Sequence, residues 1–198
     1  MLTITSTFYR MYISIVMSNK EPLPPSRFPD RPIEQAEGKW WIAKVKARQE
    51  KKLAFDFVAA GVEYYLPLYK KVYTRPGETT RKRIFTLPLF PGYIVFAQDT
   101  PQNIYRTGRV AQLIEVRNQS RFIKEISAIY SALEGGMAVM PLEEGFEIED
   151  DVEVVSGLLR GIKGKIAEIR NSRYLMLEVE GLGKALVKVD IRSVKKLP

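Results

Sequence analysis

Apolar and polar positions change their spacing several times along the chain, and each change marks an element. Lys39–Val45 (KWWIAKV) alternates Trp40, Ile42 and Lys44 with Trp41 and Ala43, which predicts a short strand carrying apolar groups on both faces. Over Arg48–Ala60 the period becomes helical, with Leu53, Ala54, Phe57 and Val58 on one stripe and Gly61 placed to end it. Val62–Tyr73 returns to strand character, interrupted by Pro67, and Arg75-Pro76-Gly77-Glu78 is a turn from which Thr79–Thr86 runs back as a hairpin with a basic arm. Leu87–Phe96 (LPLFPGYIVF) is a proline-bent entry into a strand. Because Pro91-Gly92 breaks the pleat, Phe90 and Tyr93 are its candidates for exposure. A short helix is expected from Thr100-Pro101 to Thr107, a strand over Ala111–Val116, and a helix over Phe122–Glu134 on the spacing of Ile123, Ile126, Tyr130 and Leu133.

The pattern divides the chain into units. Residues 1–38 read as a disordered tail: 18–38 hold five prolines and little apolar content, and the start lies at Met1 or Met17. Residues 39–134 form an α+β unit, an antiparallel sheet with packed helices. Residues 135–146 are a linker. Residues 147–198 change character. Val152/Val154, Ile166, Leu175/Leu177/Val179 and Val187/Val189 fall in short alternating runs between turn glycines, predicting five strands in a small β-barrel.

Composition narrows the chemistry. The 198 residues contain no Cys and no His, which removes disulfides, thiol nucleophiles, His-based triads and Cys or His metal sites. No phosphate-cradling glycine loop opens a helix. The carboxylates Glu143, Glu144, Glu147, Glu149, Asp150 and Asp151 lie at the linker and read as a solvated acidic connector rather than a cation site. No apolar run reaches membrane-spanning length. The net charge of +8 is concentrated in residues 39–134, with 17 Lys+Arg against 8 Asp+Glu, whereas residues 147–198 hold 10 against 9. Basic residues from neighbouring elements, Lys46, Arg48, Lys52 and Arg83 among them, would supply salt-sensitive, weakly sequence-selective phosphate contacts.

Lys39–Val45, the helix after it and above all Pro88–Phe96 (PLFPGYIVF) resemble the N-terminal domain of the NusG family. Asp151–Ile169, with Gly157, Gly161 and Gly164, resembles its C-terminal KOW domain, an SH3-like β-barrel. The PLFPGY form looks like the specialised, RfaH-like paralogues. The resemblance implies an operon-specific transcription elongation or antitermination factor without enzymatic activity, cofactor or membrane association. It would act as a monomer in the cytoplasm, on nucleoid-associated polymerase. An apolar pocket of Trp41, Phe90, Pro91, Tyr93, Val95 and Leu113 would dock on the clamp helices of the RNA polymerase β′ subunit. Lys46, Arg48, Lys52 and Arg83 would meet the non-template DNA strand, and Leu159 would help the barrel reach a ribosomal protein or Rho. Two departures stand out. The paralogues' His-Thr-Thr contact is absent near Asp99–Thr107, and Gly157-Leu158-Leu159 replaces the family's Gly-Pro-Phe turn. The class alternative is a ribosome-associated or RNA-binding KOW protein acting without polymerase.

Overall fold

The computed structural model describes residues 22–74, 82–142, 148–169 and 172–197. Its first unit is a five-stranded antiparallel sheet formed by β1 (Arg27–Phe28), β2 (Trp40–Val45), β3 (Glu63–Tyr65), β6 (Tyr93–Ala97) and β7 (Val110–Glu115), in the order β1-β3-β6-β2-β7. Between β3 and β6, the strands β4 (Leu68–Thr74) and β5 (Lys82–Pro88) leave this sheet and, among the described residues, pair only with each other, as an arm. Pro67 accounts for the break: it cannot donate to a ladder, and its carbonyl instead accepts from Leu89 N–H at 2.8 Å.

Helix α1 (Glu50–Ala60) covers one sheet face. Leu53, Ala54 and Phe57 pack on Ala43, Val45, Tyr64, Ile94 and Phe96, all buried, and Phe57 stacks obliquely on Phe96 and Tyr64. The helix starts two residues later than the sequence suggests, because Arg48 takes a left-handed backbone (φ 59°) just before it. Helix α2 (Gln119–Glu134) covers the opposite face. Asn118 caps it by accepting from Arg121 N–H at 3.0 Å. Phe122 meets Trp40, and Tyr130 meets Tyr65 edge-on. The short helix expected up to Thr107 is a 3₁₀ helix over Pro101–Thr107, ended by Gly108 at φ 68°.

The second unit has six strands, β8 (Val139–Pro141), β9 (Ile148–Val154), β10 (Lys163–Ile169), β11 (Ser172–Val179), β12 (Gly183–Lys188) and β13 (Val194–Lys196). They form one antiparallel sheet in the order β13-β9-β10-β11-β12-β8. Among the described residues β8 and β13 stand at opposite ends without pairing, so the sheet is open where a closed barrel was expected. The sixth strand comes from the expected linker: Val139–Pro141 pair with Ala185–Val187.

Residues 22–38 also correct the expectation of a disordered tail. Arg27 and Phe28 pair with Tyr65 and Tyr64, and Ile33 is fully buried. Arg31 bridges Glu37 and the buried Glu63, whose carboxylate also accepts from Glu37 N–H at 3.1 Å. Arg27, itself buried, lies 4.7 Å from the ring centroid of Tyr130. Low apolar content misled here because, besides Ile33, the segment is anchored by polar groups with specific partners.

Candidate functional site

The PLFPGY segment is built around one turn. Tyr93 N–H donates to the Phe90 carbonyl at 3.2 Å, Pro91 occupies the second position, and Gly92 the third with φ 85°. That is a type II turn, in which proline presets the first central angle and glycine accepts the positive one. Both sides of Gly92 are tied down: its N–H donates to Glu50 Oε1 at 2.7 Å, and its carbonyl accepts from Val45 N–H at 2.7 Å. Buried Glu50 therefore links the start of α1 to the turn. Pro91 is exposed and Tyr93 half-buried. Phe90, expected to be exposed, is buried, as is Leu89: the turn projects its proline and tucks its phenylalanine inward.

The register sorts the proposed docking residues. Directly opposed residues on neighbouring strands share a face. Ile42 opposes Val95 and Ile114, and Lys44 opposes Tyr93. Phe90, Tyr93 and Val95 therefore gather on the face that Ile42 and Ile114 share, in one apolar cluster. Trp41 opposes Phe96, and Ala43 opposes Leu113, which places Trp41 and Leu113 on the α1 face in a separate cluster. The expected six-residue pocket is thus divided between two sides of one sheet. Ile42 and Ile114, missed by sequence reasoning, complete the cluster; alternation along Trp40–Val45 already set Ile42 and Trp41 on opposite faces.

This face is covered. The turn joining β11 to β12 closes with Leu182 N–H donating to the Val179 carbonyl at 3.0 Å. A Cβ on Gly181 (φ 78°) would sit 2.8 Å from Ile42 Cδ1, and one on Gly183 would sit 3.8 Å from Phe90 Cδ1. Glu180 N–H donates at 2.9 Å to Glu125 Oε2 on α2, whose other oxygen takes Arg121 Nε at 2.7 Å. The C-terminal sheet thereby occupies the apolar face beside the PLFPGY turn, and side chains of both units merge into one core.

The basic residues also separate. Lys46, Arg48 and Lys52, all exposed, lie on the β2–α1 connection and the first turn of α1. Lys46 Nζ donates to the Gly108 carbonyl at 2.6 Å, which fixes that side chain toward the 3₁₀ segment. Arg109, not foreseen from the sequence, joins this edge through Asp56 (2.6 Å) and Gln49 (2.7 Å). Arg83 is exposed on the β4–β5 arm, apart from this edge.

Leu159 is in the core of the C-terminal sheet, 2 % exposed, whereas its neighbour Leu158 is 64 % exposed. Leu159 stands where the family's turn has its Phe, but in the turn formed by residues 158–161 it is Leu158 that is exposed. The acidic residues Glu143, Glu144 and Glu147 lie outside the described residues, and no carboxylate cluster able to hold a metal is found among the described ones. No described helix is long and apolar enough to cross a membrane. Burial drives the phenols of Tyr64 and Tyr65 far above their ordinary range, and Arg192 beside Asp190 holds that carboxyl down at about 2.

No curated protein matches the chain significantly. A family model does: "NusG: Transcription termination factor nusG" matches residues 38–148, which takes in the five-stranded sheet from β2 onward, both helices, the arm and the PLFPGY turn. Since that match spans more than half of the 198 residues, the chain belongs to the NusG family of transcription termination and elongation factors, whose members bind RNA polymerase.

Proposed function

We propose that this protein is an operon-specific elongation or antitermination factor that acts without catalysis. It docks on the clamp helices of the RNA polymerase β′ subunit through the face holding Ile42, Phe90, Tyr93 and Val95. Lys46, Arg48 and Lys52 contact DNA near the transcription bubble. The observation that carries the reading is the conjunction at one place of an apolar sheet face, a rigid Pro-Gly turn and a separate basic edge. An apolar patch flanked by cations suits a partner that offers a coiled coil beside nucleic acid.

The C-terminal sheet serves as the family's KOW module, with Leu158 the apolar group its turn offers to a ribosomal protein or Rho. It also covers the docking face, so engagement of polymerase requires the β11–β12 turn to leave Ile42 and Phe90. Apparent affinity is then the intrinsic affinity reduced by the fraction of molecules that are open.

The test is a pull-down of a β′ clamp-helix fragment and of whole RNA polymerase. Tyr93→Ala removes a half-buried anchor at the rim and is expected to weaken capture by roughly 30-fold, as at an interface hot spot. Lys52→Ala should leave capture intact and lower the salt slope of DNA binding by about 1. Equal, weak capture of wild type and Tyr93→Ala would sink the docking assignment. Retention on ribosomal RNA without polymerase would favour a KOW-type RNA-binding protein instead.

A further inference from the structure

Glu50 is a buried carboxylate that, among the described residues, has no cation to balance it. The first turn of α1 supports its charge, because a helix N-terminus favours an anion. Its Oε1 accepts from Gly92 N–H at 2.7 Å. That N–H belongs to the Pro91–Gly92 peptide, the central peptide of the type II turn. A type I turn over the same four residues keeps the Phe90–Tyr93 closure and the proline φ. It differs by turning this one peptide plane over, through about 150° in ψ at the second position. Glycine accepts the third-position angle of either type.

Glu50 separates the two turns. A carboxylate only accepts hydrogen bonds. In the observed turn it meets an N–H; in the turned-over one it would meet the Pro91 carbonyl, acceptor against acceptor. A trans peptide directs its N–H and its C=O oppositely. The Pro91 carbonyl therefore points away from Glu50 and α1, toward the side of the sheet where Phe90, Tyr93 and Val95 gather. Pro91 is exposed, and its carbonyl accepts no hydrogen bond among the described residues. An unsatisfied acceptor thus stands beside Tyr93 at the rim of an otherwise apolar face.

We propose that Glu50 is a positioning residue for the polymerase contact. It holds the Pro91–Gly92 peptide with the Pro91 carbonyl outward, and that carbonyl takes a hydrogen bond from a donor side chain on the helix that packs against Tyr93. The inference deepens the docking function proposed above and rests on it for the partner; the choice of turn does not depend on it.

The test reads the turn and the contact separately, in the full chain. NMR follows the Gly92 amide and the Pro91 carbonyl carbon with and without the β′ clamp-helix fragment, and a titration of the fragment gives Kd. In wild type the fragment should move the Pro91 carbonyl carbon downfield as its oxygen accepts. Glu50→Ala should move the Gly92 amide proton upfield, through loss of its bond. It should also weaken capture roughly 2- to 5-fold, as the competent turn falls to a fraction of the population. Glu50→Gln is the decisive variant. Its side-chain amide can accept from Gly92 N–H or, turned round, donate to the Pro91 carbonyl. It should therefore keep the urea midpoint near wild type, while the Gly92 amide reports two turns and capture still weakens by roughly twofold. A Glu50 that only supported the fold would do the opposite, with glutamine restoring stability and affinity together. That result, or a Gly92 amide unmoved in Glu50→Ala, would overturn the proposal, and the docking reading would stand as long as Tyr93→Ala weakens capture. A Pro91 carbonyl carbon unmoved by bound fragment would refute the outward acceptor. If the turn responds to both Glu50 variants but neither they nor Tyr93→Ala alters capture, the docking reading fails and the polymerase role of Glu50 fails with it.

Discussion

Gly181 offers a direct way to uncover the proposed docking face. An alanine there adds one methyl, whose carbon would lie 2.8 Å from Ile42 Cδ1, closer than carbon atoms approach. The left-handed angle of φ 78° adds about 1–2 kcal/mol of backbone strain. That strain is present whether or not the two units are docked, so it lowers the stability of the C-terminal sheet without moving the docking equilibrium. The overlap with Ile42 exists only in the docked state and, because Cδ1 is the end of a side chain that can turn aside, costs about 0.5–1.5 kcal/mol. The open population should therefore rise by roughly 2- to 13-fold. The assay is the Ile42 δ1-methyl resonance, which reports the ring and turn environment around it, together with the Kd for a clamp-helix fragment. Both should move toward values for an uncovered face. Ile42→Val removes the one atom that the new methyl meets. Alone it should cost about 0.5–1.5 kcal/mol. Combined with Gly181→Ala it should restore docking, giving a coupling of about 0.5–1.5 kcal/mol between the two sites. An unshifted Ile42 methyl in Gly181→Ala, with additive effects in the double variant, would refute both the contact and the covering role of the turn.

Other expectations follow from the same geometry. Removing the residues before Lys39 strips buried Ile33 and the acceptor of the Tyr64 hydroxyl; urea unfolding should show a loss of at least about 2 kcal/mol, and an unchanged midpoint would return that segment to the status of a tail. Glu63→Gln breaks the charged bonds with Arg31 and should cost about 1–2 kcal/mol in the same assay. Tyr64 Oη donates to the Pro25 carbonyl at 2.7 Å, whereas buried Tyr65 Oη has no hydrogen-bond partner among the described residues. Tyr64→Phe should thus cost about 1 kcal/mol and Tyr65→Phe close to nothing. Both phenols have folded-state pKa values raised by burial above the ordinary 10.0. Above that pH the unfolded chain has lost protons that the folded chain keeps, so stability is full below about 10 and falls as pH rises beyond it. Replacing either tyrosine by phenylalanine should flatten that fall in alkaline urea titrations.

Most of the first unit was legible because its elements announce themselves locally. The stripe Leu53, Ala54, Phe57 is the face that α1 buries, and Gly61 ends the helix with its N–H on Phe57 and Val58 carbonyls. Ile126 and its neighbours likewise set α2. The N-terminal segment was not legible, since it is held by pairings between residues remote in sequence: Arg31 with Glu63, 32 positions on, and Arg27 with Tyr65 across the β1–β3 ladder. Polar anchors of this kind leave no periodic trace. The C-terminal strands were foreseen by alternation, but their end-to-end order was not, because edge pairing depends on twist and on β8, whose three residues are too few to show a period.

The site shows where a motif stops informing. The Pro-Gly step specifies a type II turn from residue chemistry alone, and the structure has it. Which side chains that turn exposes is a different question, decided by what packs on it. Phe90 is inward because Gly183 and its neighbours lie over it, and Ile42 is covered because Gly181 has no side chain to keep the turn away. Both glycines are remote in sequence from the groups they cover. The glycines that punctuate the C-terminal strands are therefore also what lets the second unit approach the first. A substitution at Gly181 tests that role more sharply than one in the PLFPGY segment itself, because it leaves every proposed polymerase contact in place and, beyond the backbone strain it adds within the C-terminal sheet, alters only access to them.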